Sequence, residues 1–185
     1  MVMPHAAERW TRDLVWALPD DGQRRELIDG ELVVTPAPRG RHQVAVAELT
    51  HHLRQALGSS SLHVLGSPAD VTLGEEEVLQ PDLFVYATAS GRQLGHWTDI
   101  TALKVVIEVL SPSTARYDRG LKRLRYQRAG VPEYWIVDLD SRVLERWTPG
   151  DTRPEILAER LRWESGNGAV LELDLGAYFA EVWGE

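Results

Sequence analysis

The chain has 185 residues, 43% hydrophobic and 26% charged, which suits a single globular domain with a sizeable core. It contains no cysteine, so disulfides, thiolate nucleophiles and zinc–thiolate sites are excluded, and no apolar run is long enough to span a membrane. A net charge of -8 argues against a protein that coats nucleic acid by bulk electrostatics, but not against an enzyme with one local basic face.

The opening MVMPHAAERWTRDL carries charge early and has no apolar h-region, so it does not read as a secretory signal; the cytoplasm is the expected compartment. Residues 8–18 read as a short amphipathic helix ended by Pro19. Between 24 and 35, Leu27 and Ile28 precede an Asp29-Gly30 turn and Leu32, Val33 and Val34 follow it, the pattern of a β-hairpin. Pro36-Ala37-Pro38 is a break. From 41 to 57, Val44, Val46, Leu49, Leu53 and Leu57 mostly recur at helical spacing, and Gly58 suits the helix end. Residues 62–65, 70–73 and 82–87 read as short strands, and 88–101 as an irregular loop. The stretch 103–110, LKVVIEVL, is almost continuously apolar, as a central strand covered on both faces would be. Ser111-Pro112-Ser113-Thr114 then offers a strand exit and a helix N-cap, followed by a helix over 115–129 with Gly130 past its end. EYWIVD at 133–138 is the next strand and pairs with 142–147; weaker signals place strands near 155–161 and 169–173 and a short C-terminal helix. The expected fold is α/β, a central mixed β-sheet flanked by helices, with 103–138 forming a right-handed strand–helix–strand crossover. One domain is expected over 1–185, with a core at about 11–147 and a β/α extension at 148–185.

Glu108 is the most informative residue, because it interrupts the apolar run from Val105 to Leu110. A carboxylate inside a central strand is costly unless it is paired or bound to a metal, so the alternatives are an arginine partner or a cation site. Asp82, just after Pro81, opens a strand of its own; Pro-Asp alone is a common turn signal. Two such carboxylates on neighbouring strands can converge on one ion, and Mg²⁺ favours one or two carboxylates together with waters and phosphate oxygens. On the following helix, Asp118, Lys122 and Tyr126 recur every four residues and share a face. Lys122 either pairs with Asp118 at the surface or orients water and offsets charge on a phosphate. The same helix carries Arg116, Arg119 and Arg123, either a phosphate-facing patch or a solvated face. Glu26 is a weaker candidate that Arg24 or Arg25 would pair, and His42 is another, at a helix start. Neither a phosphate-binding glycine loop nor a G-x-S-x-G elbow is present, and His51-His52 lacks the spacing of a zinc site.

Glu26-Leu27-Ile28-Asp29-Gly30-Glu31, His42, Pro81-Asp82, the run from Ile107 to Thr114, Lys122, and the run from Gly130 to Asp138 together resemble the Uma2 family, formerly DUF820. The resemblance covers roughly residues 11–147. It implies a PD-(D/E)XK, restriction-endonuclease-like core in which Asp82 and Glu108 hold a metal ion, Mg²⁺ or Mn²⁺, with the backbone carbonyl of Val109 as a further ligand. The usual lysine would fall at position 110, which is Leu110 here, and the resemblance moves that role to Lys122 on the next helix. It also brings Glu26 and His42 to the edge of the site. The implied activity is endonucleolytic hydrolysis of DNA, possible as a homodimer in which two sites cut two strands. The rival expectations are a catalytically silent binding or regulatory module, favoured by the negative charge and the displaced lysine, and a nuclease for RNA or branched DNA.

Overall fold

A computed structural model describes residues 9–19, 21–36, 39–74, 77–92, 94–166 and 168–185. The whole MVMPHAAE opening, which includes the first residue of the helix expected at 8–18, and Ala37-Pro38 of the expected break lie outside these residues.

Helix α1 (Arg12–Trp16) is shorter than the apolar spacing suggests. Only Val15 is buried on it, whereas Leu14 and Trp16 remain about half exposed, so no continuous apolar face extends the helix. Strands β1 (Arg24–Ile28) and β2 (Glu31–Thr35) form the expected hairpin. Its two turn residues, Asp29 and Gly30, both have positive φ, 60° and 79°, the geometry that matches the twist of a two-residue hairpin. β1 also pairs with β5 (Glu77–Leu79), and β5 with β4 (Val71–Gly74), giving a four-stranded antiparallel sheet in the order β2-β1-β5-β4. β5 is invisible to pattern reading because three residues are too few to show an alternation.

The larger sheet has six strands in the order β10-β9-β8-β7-β6-β3. These are β3 (Leu62–Gly66), β6 (Leu83–Thr88), β7 (Ile100–Val109), β8 (Glu133–Asp138), β9 (Val143–Trp147) and β10 (Glu155–Leu157). Only β7 and β8 run parallel, so the sheet is mixed, as the segment order predicted. β7 begins at Ile100 rather than 103, because its pairing with β6 continues to the end of that strand. A register shift there steps over Lys104, which accounts for the one cation in the apolar run.

Side chains alternate across a strand, and β7 divides the core accordingly. Val105, Ile107 and Val109 face a cluster that includes helix α2 (Gly40–Leu57). Val106 faces the opposite cluster, with Phe84, Tyr126, Tyr134 and Ile136, on the side of the smaller sheet. Glu108 falls on the Val106 side. On α2 the buried stripe is His42, Ala45, Leu49, Leu53 and Leu57; Val44 is exposed, and Gly58 closes the helix at φ 47°.

The helix expected over 115–129 is three consecutive pieces: α3 (Ala115–Tyr117), a π-helical turn (Asp118–Lys122) and α4 (Arg123–Arg128). Such wide turns are rare and concentrate at functional sites. The expected strand at 155–161 resolves into β10 and β11 (Arg160–Glu164). β11 pairs with β12 (Val170–Asp174) and buries Leu161, Trp163, Leu171 and Leu173 by simple alternation. Helix α5 (Leu175–Trp183) follows, capped by the Asp174 carboxylate, and the Tyr178 hydroxyl donates to the Ala45 carbonyl at 3.0 Å, tying α5 to α2.

Leu49 is fully buried in the stripe that seats α2 on the sheet. Leu49→Ala is expected to lower unfolding stability by about 2–5 kcal/mol in a denaturant titration, the usual cost of such a cavity.

Candidate active site

The pair Leu83–Ile107 is the last in the β6–β7 ladder, so one step further out Asp82 comes level with Glu108. Both are buried, at 3% and 2% exposure. Asp82 is gripped from three elements. Its Oδ2 accepts from the Val109 amide at 2.8 Å and from His42 Nε2 at 3.0 Å, and its Oδ1 accepts from Arg24 Nη1 at 2.8 Å. His42 reaches it because the buried stripe of α2 continues into that helix's first turn. Glu108 Oε1 accepts from Lys122 Nζ at 3.1 Å, and its Oε2 lies 3.5 Å from Arg24 Nη2.

Lys122 is 1% exposed and serves three carboxylates at once. Besides Glu108, its ammonium lies 2.9 Å from Glu26 Oε1 and 3.4 Å from Asp118 Oδ1. Glu26 Oε1 also accepts the Gln80 amide at 2.8 Å, and Tyr134 donates its hydroxyl to the Asp118 carbonyl at 3.0 Å. The structure therefore brings together Glu26, His42, Asp82, Glu108 and Lys122, and adds Arg24 and Asp118. A surface Asp118–Lys122 pair is ruled out, since both side chains are buried.

When all are ionised, the four buried carboxylates Glu26, Asp82, Glu108 and Asp118 face the two permanent cations Arg24 and Lys122, with the His42 imidazole beside Asp82. Burial pushes the Glu108 carboxyl well above the ordinary range, and the neighbouring Asp82 and Asp118 add to this against the pull of Lys122 and Arg24. Burial likewise raises Asp118, despite Lys122. Asp82 moves the other way: burial alone would raise it, but the His42 hydrogen bond and the Arg24 charge outweigh burial and hold it low. Lys122 is held firmly protonated, because Glu108, Glu26 and Asp118 overcome the desolvation that opposes its charge.

Two carboxylate oxygens in the cluster, Glu26 Oε2 and Asp118 Oδ1, are buried without a hydrogen bond. An acid-rich cluster suits a divalent cation, and of its four carboxylates Asp82 and Glu108 line the cleft. Among the described residues, no three His, Asp or Glu side chains are already gathered in metal-ligand geometry, and Arg24 contacts both Asp82 and Glu108.

Asp82 and Glu108 open onto a cleft of about 310 Å³, walled also by Arg24, Arg39, His42 and the loop from Ser111 to Thr114. A second recess of about 410 Å³ adjoins it through Arg39, His42 and Ser111 and extends toward Arg41, Arg119 and Trp183. Glu26, Asp118 and Lys122 stand behind the cleft and do not line it.

The three arginines singled out on the helix have different settings. Arg116 is exposed. Arg119 lines the second recess but is paired with Asp138 at 2.8 Å and Glu145 at 2.6 Å. Arg123 lies over the Trp147 ring, 4.5 Å from its centroid. The cleft's own arginines are Arg24 and Arg39, with Arg41 in the adjoining recess, and sequence reasoning passed over all three as site residues. Arg24 stands two residues from Glu26 in one strand and so shares its face, a signal that was present. Arg39 and Arg41 flank a helix start, where the helix dipole disfavours cations, and that misplacement was the other available clue.

A family model described as Uma2, "putative restriction endonuclease", matches residues 13–175. The chain belongs to the Uma2 family. A crystal structure of a "putative nuclease belonging to DUF820" from Anabaena variabilis is similar, with a TM-score of 0.77 at 20% identity over 93% of this chain and 98% of that one. At that identity the likeness speaks for the fold, which is the restriction-endonuclease-like one. No curated protein matches the chain. Among the described residues of this Uma2 protein, no helix is long and apolar enough to cross a membrane.

Lys122→Ala would leave the buried carboxylates with Arg24 alone, and is expected to destabilise the protein by about 3–5 kcal/mol in a denaturant titration. Glu108→Gln tests the raised carboxyl. A group whose folded pKa is raised contributes stability below its unfolded pKa and loses it as pH rises through the folded value. Without added metal, the stability of Glu108→Gln relative to wild type should therefore increase as pH rises above the ordinary carboxylate range, measured by melting temperature.

Proposed function

We propose that this chain is a metal-dependent endonuclease that hydrolyses DNA phosphodiester bonds. The observation that carries the reading is the pair of buried carboxylates Asp82 and Glu108, part of an acid-rich cluster, located at the end of the central sheet and open to a cleft with arginine walls. Asp82 and Glu108 would hold Mg²⁺ or Mn²⁺. The Val109 carbonyl is a fitting third ligand: its amide already points to Asp82, and the N–H and C=O of one strand residue face the same neighbour. A divalent ion bound there would polarise the scissile phosphate and lower the pKa of a bound water.

The remaining residues prepare these ligands. His42 and the Val109 amide fix the orientation of Asp82 and favour its ionised form. Lys122, held by Glu26 and Asp118, restrains Glu108 from the side away from the cleft. It acts through Glu108, since it does not line the cleft itself. Arg39 and Arg41 line the two recesses and, with the exposed Arg116, offer positive charge for a nucleic-acid backbone; Arg119 and Arg123 contribute less, the first being paired with Asp138 and Glu145 and the second stacked on Trp147. We read residues 1–185 as one nuclease-like domain, because 161–182 contribute to the same core cluster as α2 and β7. Two copies acting together would cut both strands.

The silent-module reading also has an observation in its favour: Arg24 contacts both carboxylates, and no three-ligand set is gathered.

Asp82→Asn and Glu108→Gln keep side-chain shape and are each expected to abolish both Mn²⁺ binding in calorimetry and cleavage of DNA. Cleavage retained in either variant would sink the assignment, and metal binding without turnover on single-stranded, duplex or branched DNA or on RNA would favour the silent module. Light scattering checks the assembly, and a mass near 20.8 kDa would remove the dimer.

A further inference from the structure

Among the described donors to Asp82, Arg24 is the least constrained. The Val109 amide is backbone in a sheet, and His42 is buried in the first turn of α2. Arg24 instead lies on a long, unbranched side chain, 18% exposed, in the wall of the cleft. Its Nη1 donates to Asp82 Oδ1 at 2.8 Å, and its Nη2 donates to the Gln80 carbonyl and lies 3.5 Å from Glu108 Oε2. Its Nε, 4.0 Å from Glu26 Oε2, makes no hydrogen bond. The guanidinium thus bridges the two carboxylates that the proposed metal would use, without satisfying all of its own donors.

We propose that Arg24 is an exchangeable cation: it neutralises Asp82 and Glu108 when no metal is present, yields them to an entering divalent ion, and then turns into the cleft to bind a phosphodiester oxygen of the substrate. This rests on the metal-site reading above and adds its regulation. A guanidinium is suited to both positions, because its planar fork pairs with carboxylate and phosphate alike. The two events are coupled. Metal frees Arg24 for phosphate, and phosphate on Arg24 frees Asp82 and Glu108 for metal, so each tightens the other by the same factor. The free protein is thereby kept from holding metal tightly before substrate arrives.

The test is calorimetry of Mn²⁺ binding to the full chain, with dimethyl phosphate as an uncleaved phosphodiester probe. Wild type, Arg24→Gln, Arg24→Lys and Asp82→Asn are compared. Arg24→Gln should bind Mn²⁺ at least about fivefold more tightly than wild type, the lower end of typical coupling. Dimethyl phosphate should tighten Mn²⁺ binding more in wild type than in Arg24→Gln, where only its direct coordination to the metal remains. Arg24→Lys, which keeps a cation but cannot bridge two carboxylates with a planar fork, should fall between the two and serves if the Gln variant fails to fold. Equal or weaker Mn²⁺ binding in the Arg24 variants, with binding still abolished by Asp82→Asn, overturns the exchange and leaves the nuclease reading standing. Tighter binding in the variants, with a phosphate effect in wild type no larger than in Arg24→Gln, overturns the turn into the cleft. No Mn²⁺ binding by wild type or by either Arg24 variant overturns this proposal and the metal site together.

Discussion

A lysine ammonium with 1% of its surface exposed must be neutralised where it stands, and Lys122 is neutralised by carboxylates from three separate elements. Glu26 comes from the hairpin sheet, Glu108 from the central sheet and Asp118 from the π turn that also carries Lys122. The two sheets and the crossover helix are therefore joined at one charged point as well as through their apolar faces. Buried ion pairs often stabilise little against apolar replacements, because desolvation consumes most of the attraction. What this arrangement provides is position: Glu108 is restrained at the strand end with one oxygen toward Lys122 and the other toward Arg24 at the cleft.

The two carboxylates at the cleft are set apart by their surroundings. Asp82 has hydrogen bonds from an amide, an imidazole and a guanidinium, and its ionised form is favoured. Glu108 lies deeper among other acids, and its ionised form is disfavoured. Pairs of titratable groups driven in opposite directions within one cleft are characteristic of functional sites. The same contrast gives the acid-rich cluster its chemical meaning, since protons or cations must compensate its charge.

Reading the sequence located the carboxylates and the lysine but not their setting. Asp82 and Glu108 stand out because a charge at a strand start and another inside an apolar run need an explanation. Lys122 stands out only by helical spacing, and spacing cannot tell a surface pair from a buried one; the packing of β1 over that helix face decides it. The arginines show the same limit. Arg119 and Arg123 stand four residues apart on one helix, with Arg125 further along it, yet Arg119 pairs with Asp138 and Glu145, Arg123 covers Trp147, and Arg125 pairs with Asp29 and Glu77. Each partner is far away in sequence, so no local pattern could assign it.

By itself the sequence determined most of the order of strands and helices, the hairpin at Asp29-Gly30, the central strand and the family, because periodicity, turn chemistry and short motifs are local properties of the chain. Only the tertiary structure decided that β1 belongs to a second sheet with the three-residue β5, that the crossover helix widens into a π turn, and that Arg24 contacts Asp82 and Glu108. These features depend on contacts between residues such as Arg24 and Asp82, 58 positions apart. Their energy arises from burial and charge neutralisation, which exist only once the separate elements have packed together.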